Sequence, residues 1–92
     1  MTITIVLDAE GWTTKEDFYS SYCNATNAPA WFGRNLDALA DSLRGGICKI
    51  TPEKIIVRNM RSSVKQQLGT TFWKDVETIC LEEEVELGVF AD

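Results

Sequence analysis

Asp37 and Asp41 stand four residues apart in the stretch Asn35-Leu-Asp-Ala-Leu-Ala-Asp-Ser-Leu-Arg44, so on a helix their carboxylates lie one turn apart on one face. Two neighbouring aromatics, Trp31 and Phe32, precede them on a segment that Pro29 keeps out of the helical conformation. Rigid aromatic area beside fixed acids suits the recognition of a basic protein surface. Plainer roles exist for each residue. Either aromatic can be core, and Asp37 in a first helical turn is favoured by the helix dipole alone. Asp41 can pair with Arg44 three residues on, an exposed contact worth only about 0.2–0.5 kcal/mol.

Other chemistries lack their residues. The chain has 92 residues and no histidine, so the commonest general base and the commonest metal ligand are both missing. Cys23, Cys48 and Cys80 are widely spaced and odd in number, which fits neither a disulfide framework nor a zinc site. They read as buried or half-buried free thiols in a reducing cytosol, and a nucleophilic thiolate would have no histidine to activate it. There is no GxGxxG or P-loop glycine pattern to seat a phosphate cofactor, so no cofactor and no metal are expected. Fourteen acidic residues against nine basic ones give a net charge of −5, which disfavours nucleic acid and favours a basic protein partner. A basic leader and an apolar run of membrane-spanning length are both lacking, so a cytoplasmic chain without membrane attachment is expected.

The elements that must position these residues can be read from pattern. Thr2–Leu7 is β-branched and apolar, a strand buried on at least one face and ended by the turn chemistry of Asp8 to Gly11. Thr13 or Thr14, with an acid three residues later, caps a helix over about 14–25. Asn35 caps a second helix to about Arg44, with Leu36, Leu39 and Leu43 on its apolar side and Gly45-Gly46 closing it. Lys54–Arg58 reads as a second strand, Met60–Leu68 as a short helix and Thr70 to about Glu84 as a longer one. Glu86–Phe90 reads as a closing strand. Helical crossovers of this length allow parallel pairing, so the expected fold is α/β: a three-stranded parallel β-sheet packed by three to four α-helices, one domain over 1–92.

The stretch Trp31 to Gly45 resembles the signature of the barstar family of intracellular ribonuclease inhibitors. That signature runs aromatic-aromatic-Gly-x-Asn-Leu-Asp-Ala-Leu-x-Asp-x-Leu-x-Gly, and the stretch fits every fixed position. Length, element order and acidic charge agree over nearly the whole chain. The resemblance implies a protein inhibitor, not an enzyme, that plugs the active site of a small basic secreted ribonuclease or nuclease toxin domain. Asp41 would take the place of the substrate phosphate, Asp37 would add a second acidic contact, and Trp31 would stack on the enzyme's catalytic histidine. Gly45 closes the same motif. Arginine forks accept carboxylate much as they accept phosphate. The sequence departs from the family at Ala40 and Gly46, where aromatics are common, and at Arg34 and Arg44, which offset the two acids locally.

A second acidic run, Glu82, Glu83, Glu84 and Glu86, sits where the last helix meets the negative end of its own dipole. The resemblance matches Glu82 to a family acid that contacts the enzyme, with Glu77 or Thr78 at the preceding acidic position. The competing expectation keeps the fold but makes the chain an acidic adaptor or regulatory module for some other basic protein.

Overall fold

The structure, a computed structural model, describes residues 2–92. Its elements follow the expected order: β1 (Thr4–Asp8), α1 (Lys15–Thr26), α2 (Leu36–Arg44), β2 (Lys54–Arg58), α3 (Ser62–Leu68), α4 (Thr70–Glu82) and β3 (Glu86–Val89). The three strands form one parallel sheet in the order β1-β2-β3. Its register aligns Ile5 with Ile55 and Leu87, and Leu7 with Val57 and Val89. The α/β fold with four helices is therefore the one the pattern implies.

Element ends differ from the sequence reading for local reasons. β1 runs through Asp8 because that residue pairs with Arg58 in the ladder. The short helix starts at Ser62, two residues later than expected, because Arg61 is extended (φ −79°, ψ 162°) and Met60 continues the sheet pairing, its N–H donating to the Phe90 carbonyl at 2.8 Å. α4 stops at Glu82 because Glu84 adopts a left-handed φ of 60° and the Val85 N–H turns back to the Cys80 carbonyl.

Helices cover one face of the sheet. Ile5, Leu7, Ile55 and Val57 are buried, whereas the intervening Val6 is exposed, so β1 alternates with the period of two that a half-buried strand requires. The core is unusually aromatic. Phe18 meets Trp12, Phe72 and Trp73 edge-on at centroid distances of 5.8, 5.8 and 6.0 Å, the geometry that ring quadrupoles favour. Tyr22, one turn along α1, carries this cluster toward α2.

The start of α1 is held by an acid reaching backwards. The Asp17 carboxylate accepts the backbone N–H groups of Thr13 at 2.8 Å and Thr14 at 3.1 Å, two donors that the helix itself cannot satisfy. These bonds hold the Asp17 carboxyl below its usual value of 3.8. A depressed folded-state value stabilises the fold above the unfolded-state value and loses that stabilisation as pH falls through the folded one. Asp17→Asn is therefore expected to lower stability at pH 7, and its difference from wild type should shrink progressively as pH falls below 3.8 and through the lowered folded-state value. Urea unfolding of both chains at pH 7 and at a descending series of acidic pH values checks this.

Candidate functional site

The loop before α2 sorts its two aromatics by turn geometry. Asn27 ends α1 in the left-handed conformation, and the Phe32 N–H donates to the Pro29 carbonyl at 2.9 Å. Within that turn Phe32 points inward, 6% exposed, with its ring 6.2 Å from that of Tyr22. Trp31 points outward and is 74% exposed. Gly33 is needed for close approach, since a Cβ there would stand 3.0 Å from Asn35 Nδ2 and 3.3 Å from the Ala38 Cβ. That room lets Asn35 fold over the helix start, where its Oδ1 accepts the Ala38 N–H at 2.8 Å.

Leu39, Ser42 and Leu43 form the buried side of α2, which leaves Asp37, Asp41 and Arg44 together on the exposed side. Ser42 sets the rotation. Its Oγ donates to the Leu39 carbonyl at 2.7 Å and accepts the Tyr22 hydroxyl at 2.7 Å, entirely within the protein. Burial pushes the Tyr22 phenol well above its ordinary range, so it stays protonated and able to donate. Gly45 then ends the helix at a φ of 100°, a backbone conformation costly for any residue with a side chain.

The two arginines of the segment are tied down. Arg34 Nη1 donates to Glu16 Oε1 at 3.2 Å and to Ser20 Oγ at 3.0 Å, pinning the loop to α1. Arg44 bridges two elements: Nη1 meets Asp41 Oδ1 at 2.8 Å, while Nε and Nη2 grip the Glu83 carboxylate at 3.2 and 3.0 Å. The bonds to Glu83, then its charge, raise the Arg44 pKa. An open groove of about 880 Å³ lies beside Asp37, lined also by Tyr19, Arg34, Leu36, Leu68 and Phe72.

Asp37, Asp41, Arg44 and Gly45 thus share one surface, with Trp31 on the loop leading into it. The acids of α4 divide differently from the sequence matching. Glu83 joins Asp41 through Arg44, its side chain only 19% exposed. Glu82, the positional match, is exposed one residue away, about 100° around the helix. Glu77 is also exposed, and its six-residue separation from Glu83 rotates it about 120° away. The alternative at that register, Thr78, turns its hydroxyl back to the Lys74 carbonyl of its own helix at 3.0 Å. A signal for Glu83 was present in the sequence. Phe72, Val76, Ile79 and Glu83 continue one stripe at spacings of four, three and four, so Glu83 extends the packed edge of α4.

Cys80 and Cys23 are held in their neutral thiol form. Desolvation, with a smaller contribution from the nearby Glu77 charge, pushes Cys80 up to about 11, and burial raises Cys23 as well. Among the described residues no helix is long and apolar enough to cross a membrane.

The sequence profile of the barstar (barnase inhibitor) family matches residues 2–89. The chain belongs to the barstar family. Barstar-family proteins are inhibitors that bind barnase-type ribonucleases, so the general role of this chain is ribonuclease inhibition. No curated protein matches the chain at a significant level. The arrangement described above belongs to this chain's own version of the barstar fold.

The opposite placements of the two aromatics have a measurable consequence. Phe32→Ala should cost about 3–5 kcal/mol of stability through the cavity it leaves. Trp31→Ala should change stability by no more than about 0.5 kcal/mol, as expected for a surface site. Urea denaturation of the two variants distinguishes these roles, and equal losses would contradict the assigned orientations.

Proposed function

We propose that this barstar-family chain inhibits its ribonuclease one-to-one by occlusion, laying the exposed side of α2 into the enzyme's active-site cleft. The supporting observation is that Trp31, Asp37 and Asp41 are all exposed while the helix beneath them is fixed by buried contacts. A carboxylate offers an arginine fork two oxygens in a plane, as a phosphate does, and in a dry cleft such paired charges become strong. In this reading Asp41 stands where the scissile phosphate would, and Asp37 meets a second cation one turn earlier. Trp31 supplies the flat surface that stacks on the enzyme's catalytic histidine. Gly45 lets the chain turn away without a side chain in the interface. Glu82 and Glu83 extend the acidic field at the far end of the helix, and Glu77 contributes to it only at longer range.

Complementary charge acts first on encounter. The chain carries a net charge of −5, and screening over about 8–10 Å at ordinary ionic strength weakens its attraction for a basic enzyme. Three free thiols fit a reducing compartment, so the proposal places this protection in the cytoplasm of the producing cell. A small basic secreted ribonuclease, or a nuclease toxin domain, is the corresponding target.

Calorimetric titration of barnase, the family's namesake target, tests the reading. The expected result is 1:1 binding, with Asp41→Ala weakening it at least about thirtyfold, the loss that defines a hot spot. Raising the salt concentration should slow association. Undiminished binding by the Asp41→Ala chain would contradict the assigned role of α2.

A further inference from the structure

Asp41 is not free in the unbound chain. One of its oxygens, Oδ1, already accepts Arg44 Nη1 at 2.8 Å, and among the described residues Oδ2 has no hydrogen-bond partner. Arg44 is held from its other side by Glu83 through both Nε and Nη2. The two halves of this bridge differ in environment. The Glu83 side chain is largely covered, whereas the Asp41 side chain is more than half exposed. The Asp41–Arg44 contact is thus the half that solvent and competing ions weaken, and the Glu83–Arg44 contact is the half that keeps the guanidinium in place.

From this geometry we infer that Arg44 is a specificity-determining residue: an internal guanidinium occupying the position beside Asp41 that a ribonuclease arginine must take. The inference rests on the occlusion reading of α2. A target has two ways to engage Asp41. It can bond only the free Oδ2, or it can displace Arg44 Nη1 and take both oxygens in the two-pronged manner that strengthens arginine–carboxylate pairs. In the second case Glu83 still anchors Arg44 nearby, so the displaced positive charge continues to repel the incoming one. Both routes penalise weakly basic clefts more than strongly basic ones, because only a cleft with several convergent cations compensates for the lost internal bond. Arg34, which has the same charge and lies in the same segment, does not act this way. Its guanidinium is turned to Glu16 and Ser20 on α1 and makes no bond to either acid of α2.

A double-mutant cycle on barnase binding separates this role from general charge. Arg44→Gln is expected to tighten binding about two- to fivefold, the range that corresponds to an exposed ion pair. That gain should shrink when Asp41 is already alanine, because there is then no carboxylate to release and only the repulsion from the Glu83-anchored guanidinium is left. Arg34→Gln should give an effect that is the same with or without Asp41. Thermal unfolding of each variant confirms that it remains folded. An Arg44→Gln gain that is undiminished in the Asp41→Ala background, or a loss of affinity in Arg44→Gln, overturns the inference while leaving the occlusion reading intact. Failure of the wild-type chain to bind barnase, or indifference to Asp41→Ala, overturns the occlusion reading and this inference together.

Discussion

The buried hydrogen-bonded chain from the Tyr22 hydroxyl through Ser42 Oγ to the Leu39 carbonyl fixes which side of α2 faces outward. A hydroxyl pair sealed from water cannot be left half-made without a cost of about 1–3 kcal/mol, so it selects one rotation of the helix. With Leu39, Ser42 and Leu43 turned to the core, Asp37 and Asp41 have no direction left but solvent. Phe32 repeats the constraint from the loop, since its ring against Tyr22 forces the neighbouring Trp31 outward. The aromatic cluster around Phe18 in turn holds α1, and with it Tyr22, against α4. The proposed inhibitory surface is the outside of a tightly specified inside.

Much of this was legible in residue order. Strand and helix existence, the parallel sheet and the exposed pair of carboxylates follow from periodicity, capping residues and crossover length. Asn35 illustrates why: its cap is local, made to a backbone group three residues away, and local chemistry is what a sequence displays. The assignment of Trp31 and Phe32 was not legible, because both are large aromatics and only a turn closed by the Pro29 carbonyl decides between them. The choice among the α4 acids was hidden for a related reason. Arg44 and Glu83 are 39 positions apart, and a contact between two helices leaves no local trace beyond the apolar stripe on which Glu83 lies. Element ends differ by one or two residues where backbone conformation or pairing, such as the left-handed Glu84 or the Met60 N–H on the Phe90 carbonyl, decides the boundary.

The electrostatics of the surface differ from what total charge conveys. From Glu77 to Asp92 there are six acids and no Lys or Arg, whereas Trp31 to Gly45 holds two of each sign. The excess negative charge therefore acts at range from the end of α4 and β3, while the segment proposed to enter the enzyme is locally balanced. Both of its arginines also serve as ties, Arg34 to α1 and Arg44 to α4. Rigidity gained in this way lowers the ordering cost of binding, and the Arg44 tie also places positive charge beside Asp41. Both arginines thus contribute to rigid presentation, and the proposed filter on the target belongs to Arg44 alone.

Steady-state cleavage of RNA by barnase, measured at increasing concentrations of the chain, tests the central claim most directly. Occlusion by α2 predicts that inhibitor and RNA exclude one another, so the apparent KM rises while kcat is unchanged and activity disappears at one equivalent when RNA is scarce. A complex that forms at one equivalent yet still cleaves RNA, or inhibition that lowers kcat without changing KM, would contradict it.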